Sequence, residues 1–317
     1  MSELPAGRII DTQQWDRARW LAWRTEGIGA SDVAAIVGLS PWSSPWSLWA
    51  EKLGLLGERE DDVLMEAGRW LELAIAPWVQ DRTGLVVRGA QTCVESTADP
   101  VHRCTLDGLV HEGPGSTHPL GVLEIKTAGP GRTPDQPPAH HAAQAQWQMH
   151  VTGLQRTWLA TLRGRRLDIT EIARDDEDIA FLVARSAEFW QLVQEQEPPV
   201  VDGSVATLDA LAAVHATPDP DLTAPLDDLG DVLDEWRSAK ADERDAAARR
   251  RSAEARLKAR LGDAVEGLVD GERAVTWRAQ TRRDIDVTRL REEYPDVARM
   301  VTRESTHRVL RDTTAGR

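Results

Sequence analysis

Two apolar segments of this chain carry charge where a buried strand should not. Thr105-Leu106-Asp107-Gly108-Leu109-Val110 holds a carboxylate, and Gly121-Val122-Leu123-Glu124-Ile125-Lys126 holds a carboxylate and an amine two residues apart. In a strand, residues i and i+2 leave the same face, so Glu124 and Lys126 point one way and Ile125 enters the core. Burying such a pair is costly unless a cation, a counter-charge or a substrate compensates. Asp107, Glu124 and Lys126 therefore suggest a hard-cation site with an amine beside it, a combination suited to cleaving phosphodiesters. The competing interpretation is an edge strand with solvated charges.

The chain is 317 residues long, enough for one large domain or two modest ones, and its 41% hydrophobic content can fill a core. It has no run of apolar residues long enough for a membrane span and no basic-then-apolar leader, so a cytoplasmic location is expected. The two cysteines, Cys93 and Cys104, cannot by themselves make a four-thiolate metal site, and buried reduced thiols are expected. A formal charge of −14 repels DNA on average. The acids concentrate in short stretches, however, and a bound cation reverses the local sign. Only Lys52, Lys126, Lys240 and Lys258 are lysines among 38 basic residues. In so arginine-rich a chain, a lysine beside Ile125 invites a chemical reason, such as a compact ammonium.

The pattern predicts helices over 13–24 and 32–37, a turn and short helix over 41–52, and a long helix over 66–82. The last presents Trp70, Leu71, Ala74 and Trp78 as its apolar side, with Pro77 as a kink and Gly84 closing it. Ser31 is placed to cap the helix that follows it. Strands are expected at 85–94, 102–110 and 121–127, then a Pro/Gly-rich loop (Gly129–Pro138), a helix over 139–151, strands at 156–162 and 166–173, and a helix over 178–195. This order gives an α/β domain over residues 1–200, bounded by Pro198-Pro199. Residues 201–317 form a C-terminal extension, with a helical hairpin or short coiled coil over 229–261 followed by strand (271–278), helix (286–294) and strand (305–311). The arginine run Arg249-Arg250-Arg251 suggests a solvated helix face more than a DNA contact.

Glu72 on the long helix can join Asp107 and Glu124 around a cation. Mg²⁺ is usually held by few carboxylates together with water and substrate phosphate. Lys126 would orient water or stabilise developing charge, and would act as a base only if its pKa were lowered. Gln144 and Gln148 lie one turn apart on the 139–151 helix. Gln144 can hold water or phosphate, whereas Gln148 is expected to be solvated. Arg24 and Ser31 make an anion pocket plausible at a helix start.

Further motifs lie in order along the chain. They are Trp23-Arg24-x-x-x-Ile28-Gly29-Ala30-Ser31-Asp32, Gly38-Leu39-Ser40-Pro41-Trp42, Leu48-Trp49-x-x-Lys52-x-Gly54 and Gly68-x-x-x-Glu72. Leu106-Asp107-Gly108, Leu123-Glu124-Ile125-Lys126-Thr127 and Gln144-Ala145-Gln146-Trp147-x-Met149 complete the set. Together they resemble the YqaJ-type viral recombinase family of phage exonucleases, within the PD-(D/E)xK nuclease superfamily, over roughly residues 15 to 200. The resemblance implies a restriction-endonuclease-like α/β core, a mixed central sheet flanked by helices, with the helical hairpin and small α+β tail beyond it. It implies that Asp107, Glu124, Glu72 and the backbone carbonyl of Ile125 are metal ligands for Mg²⁺, with Mn²⁺ as a substitute, and that Lys126 is catalytic. Gln144 would lie beside the scissile phosphate, and Arg24, Ser31 and Thr105 would hold a 5′-phosphate. The implied activity is ATP-independent 5′→3′ exonuclease digestion of double-stranded DNA ends in a phage- or prophage-bearing bacterial host. The single strand left behind would pass to a single-strand annealing recombinase, and a homo-oligomer, a trimeric ring within that family, is implied. This chain departs from the pattern with His141 where relatives carry tyrosine, and with its long tail. Two other functions remain open on the residues alone: an endonuclease or structure-specific nuclease of the same fold, and a DNA-end-binding scaffold that does not cut.

Overall fold

In the computed structural model, the structure describes residues 4–57, 63–129, 131, 134–304 and 307–313. The chain divides into two compact units, Met1–Ala216 and Thr217–Arg317. The first runs β1 (Gly7–Ile9), α1 (Arg17–Thr25), α2 (Asp32–Ile36), α3 (Pro45–Lys52), α4 (Val63–Thr83), β2 (Val86–Arg88), β3 (Thr92–Ser96), β4 (Arg103–Leu106), β5 (Gly108–His111) and β6 (Gly121–Ala128). It continues with α5 (Ala139–Thr152), β7 (Arg156–Arg163), β8 (Arg166–Ala173), α6 (Asp176–Glu195) and α7 (Val205–Val214).

A five-stranded sheet in the order β2-β5-β6-β7-β8 forms the centre. Its ladders are antiparallel except β6 with β7, which run parallel with Glu124 beside Leu159 and Lys126 beside Thr161. A parallel pair needs a crossover, and α5 supplies it. Mixed sheet and flanking helices are thus the α/β architecture expected from the sequence. The expected strands at 85–94 and 102–110 are each broken in two, and the halves join different sheets. β3 and β4 form a second sheet with β1, while β2 and β5 join the central one. Gly89 and Gln91, both at positive φ, interrupt the first strand. Asp107 is the residue at the second break, between β4 and β5. There Gly108 is required, because a Cβ would meet Val87 Cγ1 at 2.6 Å.

Both faces of β6 are covered. Leu123 and Ile125 pack with Ile75 and Val79 of α4 and with Trp158 and Ala160. Val122 lies in the other core with Ala143 and Trp147 of α5. Burying Ile75 and Val79 contributes about 1.5–3 kcal/mol apiece. The stripe expected to be buried on this helix is instead exposed, Trp70 at 69% and Trp78 at 37%. Helix α4 is apolar on most sides, so spacing alone offers two faces; Gln80 helps select between them by accepting from Val87 N–H at 2.8 Å.

Ser31 also departs from expectation. It lies at the start of α2, but its backbone is helical and its side chain makes no capping bond. Helix α7 joins the first unit through the buried Thr207 hydroxyl, 2.6 Å from Ser44 Oγ at the start of α3. Cys93 and Cys104 are buried free thiols on the paired strands β3 and β4. Among the described residues, no helix is long and apolar enough to cross a membrane.

The second unit contains α8 (Gly230–Leu261), the antiparallel pair β9 (Glu266–Val269) and β10 (Glu272–Thr276), α9 (Val287–Glu293) and α10 (Pro295–Val301). The helical hairpin expected over 229–261 is one unbroken helix. No glycine or proline interrupts it between Gly230 and Gly262, so nothing in the backbone calls for a turn. Of the strand expected at 305–311, residues 305 and 306 lie outside the described residues, and 307–311 form no strand. Residues 130, 132 and 133 of the expected loop Gly129–Pro138 also lie outside them.

Candidate active site

The break between β4 and β5 brings Asp107 to the middle of β6, where Asp107 Oδ2 accepts from the Ile125 backbone N–H at 2.7 Å. Glu124, 2% exposed, projects towards α5. Gln144 Nε2 donates to its Oε1 at 2.7 Å, and Gln148 Nε2 donates to its Oε2 at 2.6 Å. Lys126 Nζ lies 2.5 Å from Glu124 Oε1, so the i and i+2 residues of the strand do share a face. Glu72 of α4 closes the cluster through Gln91, whose amide donates to Glu72 Oε2 at 2.8 Å and to Asp107 Oδ1 at 3.4 Å.

Electrostatically the group is overcharged. Burial and then the charge of Glu124 push the Asp107 carboxyl well above its usual range, against the Ile125 N–H. Burial and Glu124 likewise raise Glu72. Burial alone would lower Lys126, but Glu124, through charge and hydrogen bond, leaves it raised, with Asp107 and Glu72 adding to the effect. With no cation beside these carboxylates, their charge favours the ammonium form of Lys126.

Fully ionised, three carboxylates facing one ammonium would carry an excess of two negative charges, which is why Asp107 and Glu72 resist ionisation without a cation. Among the described residues, no three acidic, His or Cys side chains close into a ready-made cation cage. Mg²⁺ does not require one, since it takes one or two carboxylates and keeps water. The hard oxygens of Asp107, Glu124 and Glu72 fit a divalent cation, and Gln91 places an amide N–H where two of them would otherwise repel.

A second cluster lies at the α1–α2 junction. Arg24 donates to Ser31 Oγ at 3.4 Å, and its guanidinium lies 3.9 Å from Asp32 Oδ1. Beneath it is a buried ion pair, Lys52 Nζ to Asp32 Oδ2 at 2.6 Å, with Lys52 also donating to the Arg24 carbonyl at 2.8 Å. Burial would raise Asp32, but Lys52 and Arg24 together with the Gly29 N–H hold it below the usual carboxylate range. Thr105 makes no hydrogen bond to Arg24 or Ser31; its hydroxyl lies 3.7 Å from Cys93 Sγ. The structure thus joins Arg24 to Ser31 by a hydrogen bond but shows no such bond from either to Thr105.

Sequence reasoning missed four contributors. Gln148, expected in solvent, is fully buried on Glu124, and its position one turn from Gln144 was the available signal. Gln91 carried none, because its left-handed backbone and its two carboxylate partners arise from the break between sheets. Lys52 and Asp32 stood in the motifs without an assigned role. His141, in place of tyrosine, lies near Lys126; burial first, then the charge of Lys126, lowers it to about 3.

Residues 19–155 match the family model described as the YqaJ-like viral recombinase domain. The chain aligns at 26% identity over 320 residues with the uncharacterized protein YqaJ of Bacillus subtilis (strain 168), covering 96% of this chain and 97% of that one. Among solved structures, an alkaline exonuclease from Laribacter hongkongensis is similar at 22% identity and a TM-score of 0.44, covering 57% of this chain and 94% of that chain. A phage related exonuclease from Haemophilus somnus 129PT is similar at 15% identity and a TM-score of 0.39, covering 54% and 96% respectively.

Proposed function

We propose that this chain, whose residues 19–155 carry a YqaJ-like viral recombinase domain, is a DNA exonuclease dependent on a divalent cation. The finer reading is ATP-independent digestion of one strand of duplex DNA from its 5′ end, with Mg²⁺ as the cation and Mn²⁺ able to replace it. The product strand would pass to a single-strand annealing recombinase, in the cytoplasm of a bacterial host carrying the phage or prophage. The nuclease domain is assigned to residues 1–200 and the extension to 201–317. The observation that carries the reading is the shared face of Glu124 and Lys126, with Asp107 clamped to the intervening backbone at 2.7 Å.

The proposed roles follow from these contacts. Asp107, Glu124, Glu72 and the Ile125 carbonyl would hold the cation, which when bound acidifies water and neutralises phosphate charge. Gln148 and Gln144 orient Glu124, and Gln144, half-buried, can also reach a phosphate beside it. Lys126 would orient the attacking water or stabilise negative charge growing on the phosphoryl oxygens. Arg24 and Ser31, with Thr105 nearby, would grip the 5′-phosphate, and the Lys52–Asp32 pair fixes the position of Arg24.

The test uses linear duplexes labelled at either 5′ or 3′ end, incubated with Mg²⁺ or with chelator. Release of 5′-terminal label first, only with Mg²⁺, and its loss in Lys126→Ala, is the expected result. Digestion that persists in chelator, or wild-type rates in Lys126→Ala, overturns the site assignment. Equal digestion of closed circular duplex would instead assign an endonuclease.

A further inference from the structure

The turn Gly38-Leu39-Ser40-Pro41-Trp42 supplies none of the side chains of either cluster, yet its shape is closely fixed. The N–H groups of Leu39 and Ser40 both donate to the Ala34 carbonyl, at 2.8 and 3.0 Å, which ties the turn to α2. Ser40 Oγ accepts from the N–H groups of Trp42 and Ser43, at 3.2 and 3.1 Å. Ser44 then opens α3 through a reciprocal capping box with Ser47. A backbone tied at both ends thus presents Trp42 to solvent, 66% exposed. An exposed apolar side chain is ordinary in itself. Trp42 differs in its neighbours. Its indole meets the His140 imidazole edge to face, with ring centroids 5.2 Å apart and planes at 90°. Contact of that geometry covers at most one broad face of the indole and leaves the other open. His140 stands one helical turn before Gln144, so the two share a face of α5, and Gln144 donates to Glu124. Trp42 therefore stands over the same helix face that holds the buried carboxylate.

We infer that Trp42 is a base-stacking residue, the open face of its indole receiving a nucleobase of the strand that is cut. The inference rests on the nuclease reading, which puts a phosphate of that strand at Glu124 and Lys126. The area on offer suits a base. A tryptophan side chain presents about 150–250 Å², whereas a stable protein partner needs about 800 Å² on each side. Leu39, 44% exposed, is the other large apolar side chain that the turn shows to solvent. Attraction for phosphate is weak on average in a chain of formal charge −14. Stacking on an aromatic ring needs no charge and tolerates any base sequence. An indole already held in place also loses little freedom when it binds.

Fluorescence anisotropy of the full chain with labelled linear duplexes tests the contact, with Ca²⁺ in place of Mg²⁺ and intact substrate confirmed on a gel. Trp42→Ala should weaken binding about ten-fold, a loss within the range of one stacked base. Trp42→Phe should bind close to wild type, and Trp42→Leu should resemble Trp42→Ala, being apolar but unable to stack. An abasic site scanned over the terminal nucleotides of each strand separates stacking from a merely structural role. At one position of the cleaved strand the missing base should cost wild type about ten-fold and cost Trp42→Ala nothing further. Losses that multiply at every position overturn the inference, as does wild-type binding by Trp42→Ala. Coupling confined to the complementary strand overturns the assignment to the cleaved one. Unchanged DNA binding with a smaller sedimenting mass in Trp42→Ala would assign the residue to a contact between copies instead. Failure of wild type to cut any duplex with Mg²⁺ would remove the nuclease reading, while the binding measurements still decide whether a base stacks on Trp42.

Discussion

Replacing Lys52 with methionine isolates the buried ion pair beneath Arg24. Methionine keeps most of the side-chain volume but leaves Asp32 without its counter-ion in a site where the two side chains are 2% and 5% exposed. Breaking one partner of such a pair costs about 3–5 kcal/mol, because the remaining charge is buried alone. The Arg24 carbonyl also loses its donor. For a unit of this size, each kcal/mol shifts Tm by about 2–4 °C, so the variant should melt roughly 6–20 °C lower at pH 7. The pH dependence has a defined sign. In wild type the Asp32 carboxyl is depressed, so its stabilisation is present above the unfolded value near 3.8 and is lost only as pH falls through the folded value. Without Lys52 the carboxyl is no longer held down, and protonating it relieves the penalty. The gap between variant and wild type should therefore narrow from pH 7 towards pH 4. Lys52→Met combined with Asp32→Asn, which removes the stranded charge, should recover most of the loss. Thermal unfolding followed by circular dichroism measures all three proteins. A drop of under about 2 °C, or a double variant as unstable as the single one, refutes the account.

Asp107→Asn should raise the Tm of chelator-treated protein, of order 1 kcal/mol, by removing one of three crowded carboxylates. Because the Asp107 carboxyl is raised, its favourable contribution is lost as pH rises through the folded value, so Asn should also flatten the decline in stability with pH. Gln148→Leu should raise the divalent-cation concentration needed for half-maximal digestion about ten-fold or more, with modest loss of stability; an unchanged cation titration would show that Glu124 needs no such support. Its stability cost is limited because Gln148 Oε1 is itself buried without a partner. Arg24→Ala should reduce the preference for 5′-phosphorylated over 5′-hydroxyl ends about ten-fold, measured as relative digestion rates on the two substrates.

Much of this site was legible because its logic is local. The two-residue period of β6 sets Glu124 and Lys126 on one face, and the i,i+4 spacing of α5 sets Gln144 and Gln148 on another, although Gln148 was expected in solvent rather than on Glu124. The places where reasoning failed depend on distant pairing. Nothing near Asp107 announces that β4 and β5 part into separate sheets, or that Gln91 will reach across to Glu72. Helix α4 is apolar on several sides, and only its seat on Leu123 and Ile125 selects Ile75 and Val79. Over 229–261 a helical hairpin or a short coiled coil was expected, and the absence of glycine and proline between Gly230 and Gly262 is the signal that favoured one continuous helix.

The parallel ladder of β6 beside β7 has an effect beyond holding the sheet together. It obliges the chain to leave β6 at the end bearing Lys126 and to re-enter through the start of α5, where His140 and His141 stand. A crossover of this kind returns the chain beside the strand end it has just left, so His140 and His141 come within electrostatic reach of Lys126 through the routing of the backbone alone.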